Sequence, residues 1–280
     1  MNSFPLAFFP ERRNTAVVAL HTLLGLGLMA GPLFAAWTIE RWLSFPLSLL
    51  VVCAALAIAV AVTSFPDANT AMRSARLQQE EKTQEELDAP PAPQRSAMFW
   101  LFMAIAVLYA FAEGTFSSWV AIYLQQARHL PETTAAAALS AFWGALVASR
   151  LLVSVIVVRV AAERIWQILP VVMILAFLLL PYVDSAASGI ALFALAGFAC
   201  SAFFPLTMAL VSRQFDQHVG WVAAMLTAAL MLGAGLGAFA IGALRHWLTP
   251  EQLCRVSAVY PALALGLIAA TLRKSRGGGS

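Results

Sequence analysis

Eight apolar segments, each close to or longer than the ~20 residues that cross a bilayer, constrain the fold of this chain more than any other feature. Lipid cannot hydrogen-bond to the backbone, so a crossing segment must be a helix or a strand of a closed barrel. The segments are apolar on every side and lack the alternating pattern of barrel strands. We therefore predict an all-α membrane protein with eight transmembrane helices. They cover residues 15–38, 43–65, 97–126, 134–158, 165–183, 187–212, 220–244 and 255–273.

The composition is typical of a membrane protein, because 61% of the residues are hydrophobic and 11% are charged, whereas a soluble domain has about 25% charged residues. The net charge of +3 comes from basic residues in short loops, which argues against a nucleic-acid partner. Cys53, Cys200 and Cys254 lack the spacing of a metal site or a disulfide framework. We therefore expect a protein embedded in the lipid bilayer, with no cofactor and no bound metal.

Residues 66–96 interrupt the apolar pattern with acids, bases and prolines, which predicts a solvated linker. The linker separates a two-helix remnant of an N-terminal half, residues 1–65, from a six-helix half, residues 97–274, with a flexible tail at 275–280. Placing the linker in the cytoplasm puts most basic loop residues on that side, as the positive-inside rule requires. We expect an integral protein of the bacterial inner membrane with both termini in the cytoplasm.

The first and seventh segments share a motif that indicates an internal repeat. Gly27 and Gly31 stand four residues apart in the first segment, and Gly233 and Gly237 have the same spacing in the seventh. Small residues at this spacing let transmembrane helices approach closely, so we interpret the four glycines as helix-packing positions. Internal repeats of this kind are typical of secondary transporters.

Four stretches of the sequence, in their order and spacing, resemble a known transporter family. They are LHTLLGLGLMAGPLFAA (20–36), AEGTFSSWVAIY (112–123), FWGALVASR (142–150) and ACSAFFPLTMALV (199–211). They are similar to helices five, seven, eight and ten of the major facilitator superfamily, in its sugar-permease, fucose-permease-like branch. The resemblance implies a partial major facilitator fold, with two helices of the N-terminal half and a complete six-helix C-terminal half. It also implies that the family's first four helices are absent from this sequence.

The strongest candidate site residue is Glu113, an acid near the middle of the apolar residues 98–126. An ionisable group at this depth is costly and usually marks a solute or ion pathway. Tyr109 and Ser117 lie four residues to either side, so the three side chains share one helix face. One interpretation is that Glu113 binds solute hydroxyls or carries a proton. The other is that it is a structural hydrogen-bond hub between helices.

Trp143 and Arg150 are candidates on the next segment, and His21 is a candidate on the first. Arg150 either holds a solute or a helix within a cavity, or extends its charge to the nearby membrane surface. At 1.5 Å per residue, Arg150 and Glu113 differ in height by more than ~10 Å, so we expect no direct contact. We place Trp143 beside a sugar-like ring. His21 titrates near neutral pH, and both a binding role and a packing role stay open for it.

These features favour a secondary active transporter that moves a small polar solute such as a sugar, with proton coupling through Glu113. The spans contain no paired acids and no metalloprotease motif, so we do not expect an enzyme. The chain also lacks the phosphate-binding GxxxxGK[ST] motif of an ATPase. The alternative is a non-transporting remnant, or a half-transporter that needs another transporter chain to supply four helices.

Overall fold

A computed structural model of the protein describes residues 13–41, 45–62, 96–157 and 159–277. Every regular element within these ranges is helical. The chain divides into two compact units, Met1–Pro90 and Pro91–Ser280. The predicted linker lies outside the described ranges, apart from Ser96.

The first unit contains two described helices, α1 (Arg13–Glu40) and α2 (Phe45–Val62). The helices of the second unit follow one another through short connections. They are α3 (Ala97–Gly114), α4 (Val120–Gln126), α5 (Glu132–Ile156), α6 (Ala162–Leu179), α7 (Ala186–Ser201), α8 (Phe203–Gln214), α9 (Val219–Leu244), α10 (Pro250–Ser257) and α11 (Val259–Gly277).

Five helical stretches of the described residues are long and apolar enough to cross a membrane. They are Ala97–Trp119, Ala162–Tyr182, Ala186–Gln214, Asp216–Leu244 and Pro250–Lys274. Two shorter apolar stretches, Gly25–Ile39 and Pro46–Ala59, lie in the first unit. The described ranges therefore agree with an all-α membrane protein, whereas the number of eight transmembrane helices stays a prediction.

Helix α3 is packed closely by helices from the C-terminal part of the second unit. A Cβ atom added to Gly233 of α9 would lie 2.8 Å from the Cβ atom of Ala110, and one added to Gly237 would lie 3.1 Å from the Phe111 ring. The Phe111 ring also meets Tyr260 of α11 edge-on, at 5.1 Å between centroids. These contacts place α3 inside the helix bundle, which is where an ionisable side chain in a span is expected.

Four phenylalanines form an aromatic core in the second unit. Phe116 is fully buried and stacks on Phe177, with 4.2 Å between the ring centroids. Phe142 and Phe193 complete this core, at 6.2 and 6.5 Å from Phe116. Helix α7 approaches α5 so closely here that a Cβ atom on Gly197 would collide with the backbone of Phe142. Ring packing and a backbone contact therefore hold these helices together.

The predicted helix over residues 187–212 is in fact two helices that meet at Ala202. Helix α7 ends at Ser201 and α8 begins at Phe203, with Ala202 at φ −102° and ψ −7° between them. The physical reason is Pro205, which has no N–H group to donate to the carbonyl four residues earlier and whose ring crowds that carbonyl. A single straight helix is therefore interrupted in the middle of the span.

Two other predicted segments also differ from a single regular helix. The segment over residues 97–126 contains a π-helical turn, Thr115–Trp119, between α3 and α4. The segment over residues 255–273 begins earlier, at Pro250, and consists of α10 and α11. Thr249 caps α10, because its hydroxyl accepts a hydrogen bond from the Gln252 N–H group.

Candidate functional site at Glu113

Glu113 lies in the last turn of α3, within the candidate span Ala97–Trp119, and its side chain is half-buried. The π-helical turn begins two residues later, at Thr115. Such turns insert an extra residue into a helix and occur frequently at functional sites. The backbone therefore departs from regular geometry next to the one acid that the sequence places deep in this span.

The break between α7 and α8 leaves two backbone carbonyls near Glu113, and side chains from two other helices bind them. The Tyr109 hydroxyl donates a hydrogen bond to the carbonyl of Cys200 at 2.9 Å. The Nε atom of Arg150 donates to the carbonyl of Ser201 at 3.1 Å. Since a helix C-terminus carries a partial negative charge, a cation at this position is favourable. Side chains from α3 and α5 thus replace the donors that the break removes.

Glu113 interacts electrostatically with the same two side chains. Tyr109 lies one helical turn before Glu113 on the same face of α3, and both its hydroxyl and the Arg150 guanidinium are near enough to affect the Glu113 carboxylate electrostatically. No ion pair within 4.0 Å joins Glu113 to Arg150 among the residues that the structure describes. The absence of a direct contact between the two side chains stays a prediction.

We call this group the polar cluster: Tyr109, Glu113, Arg150 and the carbonyls of Cys200 and Ser201. It extends from the dry interior to the accessible surface of the second unit. The Tyr109 ring is 2% exposed and stacks on Phe203 at 4.9 Å with an interplanar angle of 17°. Arg150 is exposed. The polar cluster thus combines a buried tyrosine, a half-buried carboxylate and an exposed guanidinium.

The other predicted site residues on α3–α5 do not join the polar cluster through any described contact. Ser117 lies in the π-helical turn, and its hydroxyl donates to the carbonyl of Gly114 at 3.3 Å. Trp143 is half-buried and meets Phe142 edge-on at 5.1 Å, so its known contacts are with the aromatic core. Their roles as solute-binding residues stay predictions.

The predicted residues of the first unit are less informative. His21 belongs to α1, but its side chain lies outside the described part of the structure. A Cβ atom added to Gly27 or Gly31 would meet no described atom within 4 Å, so nothing described packs against these glycines. Gly233 and Gly237, in contrast, lie against α3. The interpretation as packing positions thus has geometric support for the second pair.

Sequence reasoning did not identify Cys200 and Ser201, because they contribute main-chain carbonyls and not side chains. The signal that could have found them is Pro205. A proline within an apolar span leaves the carbonyl four residues earlier without its helical donor, which here is Ser201. Arg150 and Tyr109 are among the long donors elsewhere in the spans that could then have been considered as partners.

A separate cavity of about 220 Å³ lies near the C-terminal ends of α4 and α9 and the start of α10. Its walls include Trp119, Tyr123, Gln126, Arg245 and Cys254, and Glu113 is not among them. The residues described contain no group of three or more His, Cys, Asp or Glu side chains arranged to hold a metal ion.

A family model described as Major Facilitator Superfamily matches residues 1–238. No curated protein and no solved structure matches the chain.

Proposed function

Because this chain belongs to the major facilitator superfamily, a family of membrane transporters, we propose that it is a secondary transporter of a small polar solute, driven by protons that bind Glu113. The observation that carries this proposal is the position of the Glu113 carboxylate. It lies in an apolar span, half-buried, within reach of Tyr109 and Arg150, yet in no ion pair within 4.0 Å among the described residues.

The position of Glu113 suits a group that gains and loses a proton. A carboxylate in a tight ion pair keeps its charge, whereas a carboxylate in an apolar span without such a pair is costly to keep charged. Arg150 stabilises the ionised form from a distance, and Tyr109 offers a hydrogen-bond partner to either form. Both protonation states of Glu113 therefore have a partner in the same place, as a proton carrier requires.

The chemistry of the polar cluster favours a neutral solute with hydroxyl groups, such as a sugar. Glu113 supplies acceptors and Arg150 supplies donors, and the N–H groups of Arg150 other than Nε form no hydrogen bond with any residue that the structure describes. Hydroxyl groups both donate and accept, so they match a site of this mixed kind. The resemblance to sugar permeases points to the same class of solute.

The test uses the 280-residue chain in proteoliposomes, with a panel of radiolabelled neutral monosaccharides. We expect at least one sugar to accumulate when the lumen is made alkaline, and we expect Glu113→Gln to abolish this accumulation. Exchange of labelled for unlabelled sugar requires no net proton movement, so it should survive in Glu113→Gln. A variant that still accumulates the sugar would remove Glu113 from proton coupling.

Glu163→Gln is the matched control for this experiment. It makes the same chemical change at an acid of the second unit that lies outside the polar cluster and pairs with Arg213 at 3.3 Å. We expect its uptake to equal that of the unmodified chain. If both variants lose uptake, the loss reflects a general effect of removing an acid from this unit, and the specific role of Glu113 fails.

The alternative, a non-transporting remnant or a half-transporter that needs another chain to supply four helices, predicts a different result in the same assay. The 280-residue chain alone would then neither accumulate nor exchange any sugar, although it inserts into the liposomes. Uptake by the chain alone would exclude this alternative. A location in the bacterial inner membrane with cytoplasmic termini is testable in cells by labelling a cysteine placed at each end.

A further inference from the structure

Two acceptors of the polar cluster, the Cys200 carbonyl and the Glu113 carboxylate, compete for the hydroxyl proton of Tyr109. A tyrosine hydroxyl has one proton to donate, and in the structure it donates that proton to the carbonyl of Cys200 at 2.9 Å. The tyrosine oxygen can still accept a hydrogen bond. Glu113 lies one helical turn away on the same face, where side chains four residues apart are neighbours, and it interacts electrostatically with this hydroxyl.

The consequence depends on the proton of Glu113. A protonated Glu113 is a donor, so it can donate to the Tyr109 oxygen while Tyr109 continues to donate to Cys200. An ionised Glu113 only accepts, so it can hydrogen-bond with Tyr109 only if the hydroxyl turns away from Cys200. A hydrogen bond to a charged acceptor is stronger than one to a neutral carbonyl, so ionisation favours this turn.

Arg150 is subject to the same competition. Its Nε atom donates to the carbonyl of Ser201 at 3.1 Å, and its guanidinium is attracted by the Glu113 carboxylate when that group is charged. Arg150 is exposed, so its long side chain has room to move. Ionisation of Glu113 therefore weakens both hydrogen bonds to the carbonyls at the end of α7, because it attracts the Tyr109 hydroxyl and the Arg150 guanidinium toward the carboxylate.

We infer that Tyr109 and Arg150 are positioning residues that couple the charge of Glu113 to the break between α7 and α8. With Glu113 protonated, both side chains bind the carbonyls of Cys200 and Ser201 and hold the break. With Glu113 ionised, they turn to the carboxylate and release it. This inference rests on the proposed function only in taking Glu113 as the group that binds the proton.

The surrounding contacts confine the released movement to a short stretch. On the far side of the break, the Trp166 indole donates to the Thr207 hydroxyl at 2.8 Å, and Thr207 donates to the carbonyl of Phe203 at 2.8 Å. These bonds tie the first turns of α8 to α6 and do not involve the polar cluster. Residues 200–206 thus form a hinge, and the part of α8 that follows the hinge stays attached to α6 through Trp166 and Thr207.

Hydrogen–deuterium exchange of the peptide over residues 198–206 tests the inference, with the full chain in lipid nanodiscs, without solute, across a pH series. Rates are corrected for the intrinsic pH dependence of amide exchange. Loss of two interhelical hydrogen bonds from the break should raise exchange by about tenfold, since such bonds contribute modestly in membranes. We expect the increase in the unmodified chain as Glu113 ionises, and slow exchange at every pH in Glu113→Gln.

Tyr109→Phe separates coupling from packing, because it keeps the ring that stacks on Phe203 and removes only the hydroxyl. Its exchange at low pH should lie between the slow and the fast rates of the unmodified chain, because Arg150 still binds the Ser201 carbonyl, and its increase with pH should be smaller than that of the unmodified chain. Cys200 is the other titratable group close to Glu113, so Cys200→Ala is the control: it keeps the carbonyl and should keep the pH response. Glu163→Gln should also keep the pH response of the unmodified chain.

An unmodified chain whose corrected exchange at residues 198–206 is independent of pH would overturn the inference, and so would an unchanged pH response in Tyr109→Phe or Glu113→Gln. These outcomes are distinguishable from failure of the proposed function. If sugar accumulation depends on Glu113 and exchange does not change with pH, the coupling to the break is wrong and proton coupling stands. If exchange follows Glu113 and no sugar is transported, the proposed function is wrong and the coupling stands.

Discussion

Two neighbouring turns of one helical stretch meet very different surroundings. Around Phe116, the aromatic core is fully buried and consists of rings that contact rings. Around Glu113, three residues earlier, the surroundings are a hydroxyl, a guanidinium and two carbonyls of an interrupted helix. The two regions share α3 and the π-helical turn that follows it, and α7 contributes to both through Phe193 and Ser201.

The difference between these regions separates stability from function. In the aromatic core, contacts are numerous and unspecific in direction, and any loss leaves a void. In the polar cluster, each contact is one hydrogen bond or one charge, and each has an alternative partner within reach. The core can thus hold the helices in place while the cluster changes its bonds. Substitutions in the two regions should therefore differ in whether they affect stability or pH response.

The largest effect on stability is expected from Phe116→Ala. The side chain is 0% exposed and touches three other rings, and removing such a ring from a packed interior costs about 3–5 kcal/mol. Thermal unfolding in detergent should show the largest decrease for this variant. Unchanged stability would mean that the aromatic core does not hold α5, α6 and α7 to the π-helical turn.

Gly197→Ala should rank second. Its new methyl group meets the backbone of Phe142, and backbone cannot move aside as a side chain can, so overpacking should cost about 1–3 kcal/mol. Gly235→Ala is the matched control, because a Cβ atom there meets nothing within 4 Å. The control should be neutral or stabilising, since alanine favours a helix by up to about 1 kcal/mol. Equal destabilisation by the two variants would contradict the packing account.

Tyr109→Phe should rank third in stability, with a loss of about 1 kcal/mol for one interhelical hydrogen bond in a membrane. The ring and its stacking on Phe203 are kept. This variant sharpens the comparison, because its small loss of stability should accompany a clear decrease in the pH response, of which Arg150 supplies the remainder. A loss as large as that of Phe116→Ala would show that the polar cluster is itself part of the packed core.

Glu163→Gln should have the smallest effect. Its partner Arg213 is 73% exposed, and the pair is joined at 3.3 Å at the surface of the second unit. Exposed pairs of this kind contribute about 0–1 kcal/mol. The unfolding temperature and sugar uptake should both stay close to those of the unmodified chain. A marked decrease in either would indicate that acids of this unit matter for a reason unrelated to the polar cluster.

The sequence was sufficient to predict the helical class of the chain and the position of Glu113, because both depend on local patterns. A span needs a run of apolar residues, and Tyr109 shares a face with Glu113 through a spacing of four. The partners of that face could not be read in the same way. Cys200 is 91 residues from Tyr109 along the chain and offers only its carbonyl.

The structure departs from regular α-helix at the break at Ala202 and at the π-helical turn Thr115–Trp119, and only the first could be predicted from the sequence. Pro205 is a local signal, so the break at Ala202 follows from the chemistry of proline. The π-helical turn at Thr115–Trp119 has no such residue within it. The sequence therefore carries no local signal for it, and only the fold reveals it. Trp143 shows the same limit, because spacing placed it on a face but its contacts are with Phe142.

The most direct test of the central claim, that Glu113 binds the proton which drives transport, measures proton movement itself. Proteoliposomes containing the unmodified chain or Glu113→Gln are loaded with the pH-sensitive dye pyranine, and a sugar that the chain transports is added outside. We predict that the lumen of the unmodified vesicles becomes acidic as sugar enters, and that Glu113→Gln vesicles, which still exchange labelled sugar, show no change. Acidification of equal size in both preparations would contradict the account.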